Sequence, residues 1–211
     1  MKKSAFYFFI LLSLFLAAGT SPAGTENTQI LVSNMQGSPT LVRNGQTLPV
    51  SMGMACQKND ILKTNENCTV DVSMSGLAGC RLLASSEGTI AESDPKNMQI
   101  KINNGNAVLN LKKLPEGTAF KVETPTAIAA VRGTQFWGRV DLGQSNNPVT
   151  TFAVREGTVE IFTKATGLNL MIQKGQALDI PKDPSITLSL RTALAQELQA
   201  MEQADSIKTS A

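Results

Sequence analysis

Few side chains in this sequence could carry out chemistry. None of the 211 residues is a histidine, which excludes Ser-His-Asp and Cys-His catalysis and most zinc sites. The carboxylates Asp141, Glu156 and Asp179 stand singly at predicted turns or strand ends, so the sequence shows no pair suited to acid–base catalysis. We therefore expect a non-enzymatic protein with no cofactor and no metal site.

Three cysteines, Cys56, Cys68 and Cys80, follow one another at equal intervals. No pair has metal-ligand spacing, and an odd count leaves at least one thiol unpaired. In an oxidising compartment one disulfide could form, either Cys56–Cys68 or Cys68–Cys80. The alternative is that all three are small buried apolar side chains.

Residues 1–23 have the composition of a secretory signal peptide. Two lysines precede an apolar run over residues 5–18, and Ser21 and Ala23 have the spacing of the small residues at a cleavage site. The run is shorter than the roughly 20 residues that span a bilayer. We expect cleavage after Ala23, with cleavage after Gly19 as the alternative. The mature protein is then periplasmic or secreted and has no transmembrane segment.

The mature chain is close to electrically neutral. Removing the two signal-peptide lysines from the 19 basic residues leaves 17, against 17 acidic residues. A neutral chain lacks the electrostatic footprint that binds nucleic acid or an anionic membrane. We therefore expect no nucleic-acid partner.

The sequence pattern of residues 24–184 predicts one all-β domain of short strands separated by glycines. Residues 68–74 alternate between apolar and polar side chains, as in a half-buried strand. Asn44-Gly45 is a strong β-hairpin signal, and 98–102 and 107–111 each read as a strand. The irregular glycine spacing favours an elongated, solenoid-like β-roll or sandwich.

The tail, residues 185–211, changes to helical periodicity. Leu190, Leu194, Leu198 and Met201 recur at the spacing of one helix face, which predicts an amphipathic helix over 187–204. We expect this helix to cover an open end of the β body. Binding of a partner by the helix is the alternative.

The central stretch resembles a known family signature. It reads Phe120-Lys121-Val122-Glu123-Thr124-Pro125, then Ala130-Val131-Arg132-Gly133-Thr134-Gln135-Phe136, and it is similar to the signature of FecR-type periplasmic domains. Weaker flanking similarities lie at 59–64, 154–159 and 173–176, so that the resemblance covers roughly 28–182. The motif positions are Thr124, Pro125, Val131, Arg132, Gly133, Thr134 and Phe136.

The resemblance implies an all-β, solenoid-like extracytoplasmic domain. In the best-known members this domain is the periplasmic sensor half of a transmembrane anti-sigma regulator, which receives its signal from an outer-membrane receptor. Only Met1 to Ser4 precede the predicted apolar run. We therefore expect this chain to lack the N-terminal anti-sigma region.

The residues of the motif also predict a local geometry. Strict alternation back from Phe136 would bury Arg132 and expose Val131, which costs several kcal/mol for an unpaired charge. A bulge at Arg132-Gly133 would turn Val131 inward and Arg132 outward, and glycine tolerates the positive φ that such a bulge requires. We therefore predict a bulge at this position.

Arg132 and Trp137 are the candidate partner contacts, because arginine and tryptophan are enriched at protein interfaces. Each has a structural alternative. Arg132 could bond loop carbonyls or Glu123, and Trp137 could cover the sheet beside Arg139.

These observations favour a protein-binding or signalling module at the cell envelope. A structural component of an envelope or surface assembly is the second hypothesis. A hydrolase whose pair of carboxylates is assembled only in space is the third and weakest.

Overall fold

The computed structural model describes residues 30–143, 147–188, 190–202 and 205–207, so the predicted signal peptide and its cleavage site lie outside the described residues. The strands of the described residues are β1 (Ile30–Gln36), β2 (Thr40–Arg43), β3 (Gln46–Pro49), β4 (Ala55–Cys56), β5 (Ile61–Lys63), β6 (Thr69–Met74), β7 (Ala78–Leu82), β8 (Glu87–Asp94), β9 (Asn97–Leu111), β10 (Ala119–Glu123), β11 (Ala127–Val131), β12 (Gln135–Asp141), β13 (Val149–Glu156), β14 (Thr158–Thr163), β15 (Asn169–Gln173), β16 (Gln176–Pro181) and β17 (Leu190–Thr192). One short helix follows, α1 (Ala195–Glu202).

The strands form two open layers. Layer A has the order β4-β1-β6-β7-β9-β12-β13-β16-β17. Layer B has the order β3-β2-β5-β8-β9-β10-β11-β14-β15. The pairing of β9 with β10 is parallel and the others are antiparallel. The chain passes repeatedly from one layer to the other. The predominance of strands among the described residues confirms the all-β class. The solenoid-like description stays a prediction.

Strand β9 belongs to both layers. Its first half pairs with β8 and β10 in layer B, and its second half pairs with β7 and β12 in layer A. Gly105 lies at the change of layer with a φ of +81°, and a Cβ there would be 2.6 Å from the carbonyl oxygen of Ser85. A side chain at this position would therefore be strained and would clash. The two strands predicted at 98–102 and 107–111 are thus one continuous strand.

One apolar core fills the space between the layers. Phe120 of layer B and Phe136 and Phe152 of layer A are fully buried members of the same cluster. The rings of Phe136 and Phe152 are tilted, with centroids 6.1 Å apart, a favourable geometry for an aromatic pair. The short hairpin of β2 and β3 turns at Asn44 and Gly45, both with positive φ, which confirms the hairpin prediction.

The three cysteines are buried free thiols, and neither predicted disulfide is formed. Cys80 lies opposite Val72, and Val72 is four residues, or about 13 Å of strand, beyond Cys68. Cys56 lies opposite Ile30, whereas Cys68 follows the other end of the same strand, since Gln36 pairs with Thr69. A disulfide needs Cα atoms within about 7 Å, so the strand register keeps both pairs too far apart.

The helix predicted over 187–204 is shorter than expected. Leu190 lies in β17, where it pairs with Leu178 of β16, because the unpaired edge of layer A accepts another strand. Helix α1 then contacts β12 and β13, so it covers the outer face of layer A and not an open end of the β body. None of the described helices is long and apolar enough to span a bilayer.

Candidate protein-binding surface

The turn between β10 and β11 is organised by a chain of buried hydroxyls. Thr126 donates to Thr150 over 2.7 Å, and Thr150 donates to Thr124 over 2.9 Å. Thr124 accepts from the backbone N–H of Ala127 over 3.0 Å. Pro125 fixes its own φ and holds Thr124 extended. The hydroxyls of Thr124, Thr126 and Thr150 are buried and bonded to one another, so this turn builds the fold and its hydroxyls do not face solvent.

The second half of the motif, Arg132-Gly133-Thr134, carries the chain from layer B to layer A. Gly133 has a φ of +69°, and a Cβ there would lie 3.2 Å from the Cα of Lys113. Val131 is buried and Arg132 is exposed, so the predicted orientations are confirmed.

The predicted bulge at Arg132-Gly133 is not formed, because β11 ends at Val131 and β12 begins at Gln135. The segment between them is a corner between two layers. A register shift occurs just beyond it, where Gln135 pairs with Glu156 and Phe136 pairs with Val154.

Arg132 differs from the other arginines in the described residues. Each of the others forms an ion pair with an aspartate: Arg43 with Asp60, Arg81 with Asp71, Arg139 with Asp141, Arg155 with Asp205, and Arg191 with Asp179. Arg132 has no ion-pair partner in the described part of the chain. Glu123, its predicted structural partner, instead pairs with Lys164 over 2.6 Å. The guanidinium of Arg132 therefore remains free to bind another molecule.

Arg132 borders an open groove on the outer face of layer B, which we call the Arg132 groove. Its volume is about 400 Å³. The groove crosses β10, β11, β14 and β15, because Lys121 pairs with Ala130, Ala130 with Glu160, and Glu160 with Met171. It is lined by residues 118–121 and 130–132 and by Thr158, Glu160 and Met171.

The groove ends at β15, the edge strand of layer B. Met171 is 61% exposed, and Phe162 and Leu168 near it are 41% and 50% exposed. Strand β15 pairs only with β14 in the described structure, and it contains no charged residue to protect the edge from pairing. Apolar surface and unpaired backbone thus lie next to the groove.

Trp137, the other predicted contact, is buried. Its exposed fraction is only 7%, and it packs with Val108, Met201 and Ile207 under the C-terminal segment. The prediction of an exposed tryptophan was wrong, because residues more than 60 positions later in the chain fold over it. Trp137 is therefore a core residue of the outer face of layer A.

The carboxylates singled out in the sequence have local roles. Asp179 accepts from Arg191 over 2.8 Å and from Thr151 over 2.7 Å. The hydrogen bond from Arg191 holds the pKa of Asp179 below its usual range. Asp141 pairs with Arg139, and Glu156 is the exposed last residue of β13. Within the described ranges no group of three His, Cys, Asp or Glu residues could hold a metal ion.

Residues 60–160 match the family model for FecR protein. The chain carries a FecR domain. The matched segment includes the hydroxyl chain, the corner at Arg132 and most of the Arg132 groove, while Met171 lies beyond it. Lys121, Glu160 and Met171 were not identified from the sequence as site residues; the alternation within their strands placed them on the outer face, but only the strand pairing brings them together.

The FecR-domain chain is also similar to two crystal structures of a proposed anti-sigma factor from Parabacteroides distasonis ATCC 8503. Each comparison has a TM-score of 0.55 and 19% sequence identity, and covers 68% of this chain and 64% of the crystallised chain. The chain thus spans just under two thirds of the length of these neighbours, and the likeness shows a shared fold. No curated protein matches the sequence significantly.

Proposed function

We propose that this chain is a non-enzymatic, exported FecR-domain protein that binds a protein partner at the cell envelope and takes part in signalling there. The observation that carries the proposal is Arg132, which has no ion-pair partner among the described residues, beside an edge strand that pairs on one side only in the same part of the chain. Arginines are enriched among the residues that dominate binding energy, and an exposed apolar patch on a soluble domain often marks an interaction site.

Two further observations support the location and the signalling role. Residues 1–23 have the pattern of a signal peptide, which would take the chain to the periplasm or outside the cell. The FecR match and the fold shared with a proposed anti-sigma factor favour a regulatory role over a catalytic one.

A structural role in an envelope or surface assembly is the second candidate. The uncharged edge strand β15 favours it, because an unprotected edge can continue a sheet into a neighbouring molecule.

In-cell photo-crosslinking tests the proposed function. A photoreactive amino acid is placed in turn at Ala130, at Met171 and, as a control site on the opposite end of layer B, at Thr47, which is also exposed. We expect one defined protein to be captured from Ala130 or Met171 and not from Thr47. If no position captures a defined protein, the partner-binding function is rejected; capture of other copies of this chain supports the structural alternative.

Cell fractionation with mass spectrometry of the mature N-terminus tests export. We expect the protein outside the cytoplasm with Gly24 as its first residue. A start at Thr20 would show the alternative cleavage, and an intact Met1 would contradict export.

A further inference from the structure

We propose that the Arg132 groove binds an extended acidic segment of the partner protein, with a carboxylate at Arg132 and a large apolar side chain at Met171. The inference rests on the proposed function and adds the chemistry of the partner to it.

The charge of the groove indicates that its ligand is acidic. Lys121 lines the groove together with Arg132. In the described part of the chain neither of these two cations has an ion-pair partner, although the five other arginines do. Glu160 is the only carboxylate among the described residues that line the groove. The lining is therefore net positive and complements an acidic segment.

The geometry of arginine favours a carboxylate as the group that binds at this end. A guanidinium presents two parallel N–H donors to a carboxylate, and such charge-assisted hydrogen bonds are about twice as strong as neutral ones. A backbone carbonyl or a hydroxyl would use only part of this donor set.

The length of the groove sets the spacing between the acidic and the apolar side chain of the bound segment. Lys121, Ala130, Glu160 and Met171 lie side by side on four neighbouring strands. At about 4.8 Å per strand, Met171 is about 14 Å from Lys121 on β10. It is about 10 Å across the strands from Arg132, which follows β11, and roughly three to four extended residues span these distances. The middle positions are Ala130, whose small side chain leaves room, and Glu160, whose negative charge disfavours a carboxylate at that point. A carboxylate therefore fits at one end and an apolar side chain about four residues away fits against Met171.

The test uses the full mature chain and a capped, fluorescein-labelled peptide, Glu-Asp-Thr-Ser-Thr-Leu, in fluorescence anisotropy. We expect saturable binding that weakens as salt is added. Arg132→Glu should weaken binding by about tenfold or more, because it removes a charge-assisted pair. The same variant should improve binding of the reversed-charge peptide Lys-Lys-Thr-Ser-Thr-Leu.

Arg139→Glu is the matched control, since Arg139 is also an exposed arginine and lies outside the groove. It should leave binding of the acidic peptide within about twofold of wild type, because the charge lies outside the groove. If Arg132→Glu fails to fold by circular dichroism, Lys121→Glu serves as the second groove variant and should weaken binding in the same direction.

Three outcomes overturn the inference: no binding of the acidic peptide to the wild-type chain at millimolar concentration, equal binding by the Arg132 and Arg139 variants, or tighter binding of the basic peptide by the wild-type chain. If the inference fails in these ways while in-cell crosslinking still captures a partner, the proposed function stands with a different mode of binding. If crosslinking captures nothing, the proposed function itself fails.

Discussion

Thr124, Thr126 and Thr150 show how the motif stabilises the fold at the scale of single residues. All three are almost fully buried, and each hydroxyl takes part in the hydrogen-bonded chain between the β10–β11 turn and β13. A buried polar group is costly unless it is bonded. These hydroxyl hydrogen bonds therefore connect the β10–β11 turn of layer B to strand β13 of layer A.

Thr150→Val should lower the free energy of unfolding by about 1–3 kcal/mol, because the hydroxyls of Thr124 and Thr126 lose a partner in a buried site. Urea denaturation measures this change. Thr47→Val makes the same substitution on an exposed strand position and should change stability by no more than about 0.5 kcal/mol. Equal effects of the two substitutions would contradict the role of the hydroxyl chain.

The cysteines give a second prediction at this scale. Burial is the main cause that raises the pKa of the Cys56 and Cys80 thiols to about 12, so these thiols are neutral at pH 8 and shielded from alkylating agents. We expect iodoacetamide to leave both unmodified in the folded protein, as measured by mass spectrometry. In denaturant, Ellman's reagent should count three thiols per chain; a count of one would reveal a disulfide.

At the scale of elements, the C-terminal segment is held on layer A by charges around a small apolar centre. Glu197 accepts from Arg191 over 2.6 Å, and Asp205 accepts from Arg155 over 2.6 Å and from Gln135 over 2.9 Å. Between these bonds, Met201 packs in the same cluster as Trp137. An isolated helix of eight residues is marginal in water, so α1 depends on this docking.

Met201→Ala should destabilise the docked segment by about 2–5 kcal/mol, the range for removing a buried methionine side chain. Trp137 is the only tryptophan, so its fluorescence reports directly on this contact. We expect the emission of the variant to shift to longer wavelength as water reaches the indole. Gln199→Ala, on the exposed side of α1, should leave the emission unchanged, and an unshifted spectrum for Met201→Ala would contradict this packing.

At the scale of the whole molecule, ion pairs join different strands and loops to one another. Lys58 pairs with Glu92, Lys164 with Glu123, and Arg191 with Asp179. The hydrogen bond from Arg191 lowers the pKa of Asp179, and the hydrogen bonds from Gln135 and Arg155 lower that of Asp205. A lowered carboxyl pKa links the stability of the whole fold to pH.

The sign of this linkage gives a prediction for acid unfolding. Asp179 contributes its stabilisation above the ordinary aspartate pKa of about 3.9, and the contribution is lost as the pH falls from there through the lowered folded value. Asp179→Asn should therefore lower stability at pH 7 and lose less additional stability than wild type between about pH 5 and pH 2. Urea denaturation at several pH values measures this, and identical acid slopes in both proteins would contradict it.

The sequence by itself determined the all-β class, the hairpin at Asn44-Gly45 and the outward position of Arg132. These features are local: a period of two fixes which side chains face inward, positive φ selects glycine or asparagine, and an unpaired charge is costly to bury. The alternation of side chains along a strand and the choice of residue at a turn are the same whichever strand pairs with it.

Only the tertiary structure decided the features that depend on distant pairing. The strand register separates Cys68 from Cys56 and Cys80, the late C-terminal segment buries Trp137, and the edge of β16 draws Leu190 into a strand. The same holds for Arg132: its exposure followed from the sequence, but only the tertiary structure pairs Glu123 with Lys164 and leaves Arg132 without an ion-pair partner among the described residues. Alternation tells which face a side chain takes, whereas contacts between strands far apart in the chain decide what lies next to it.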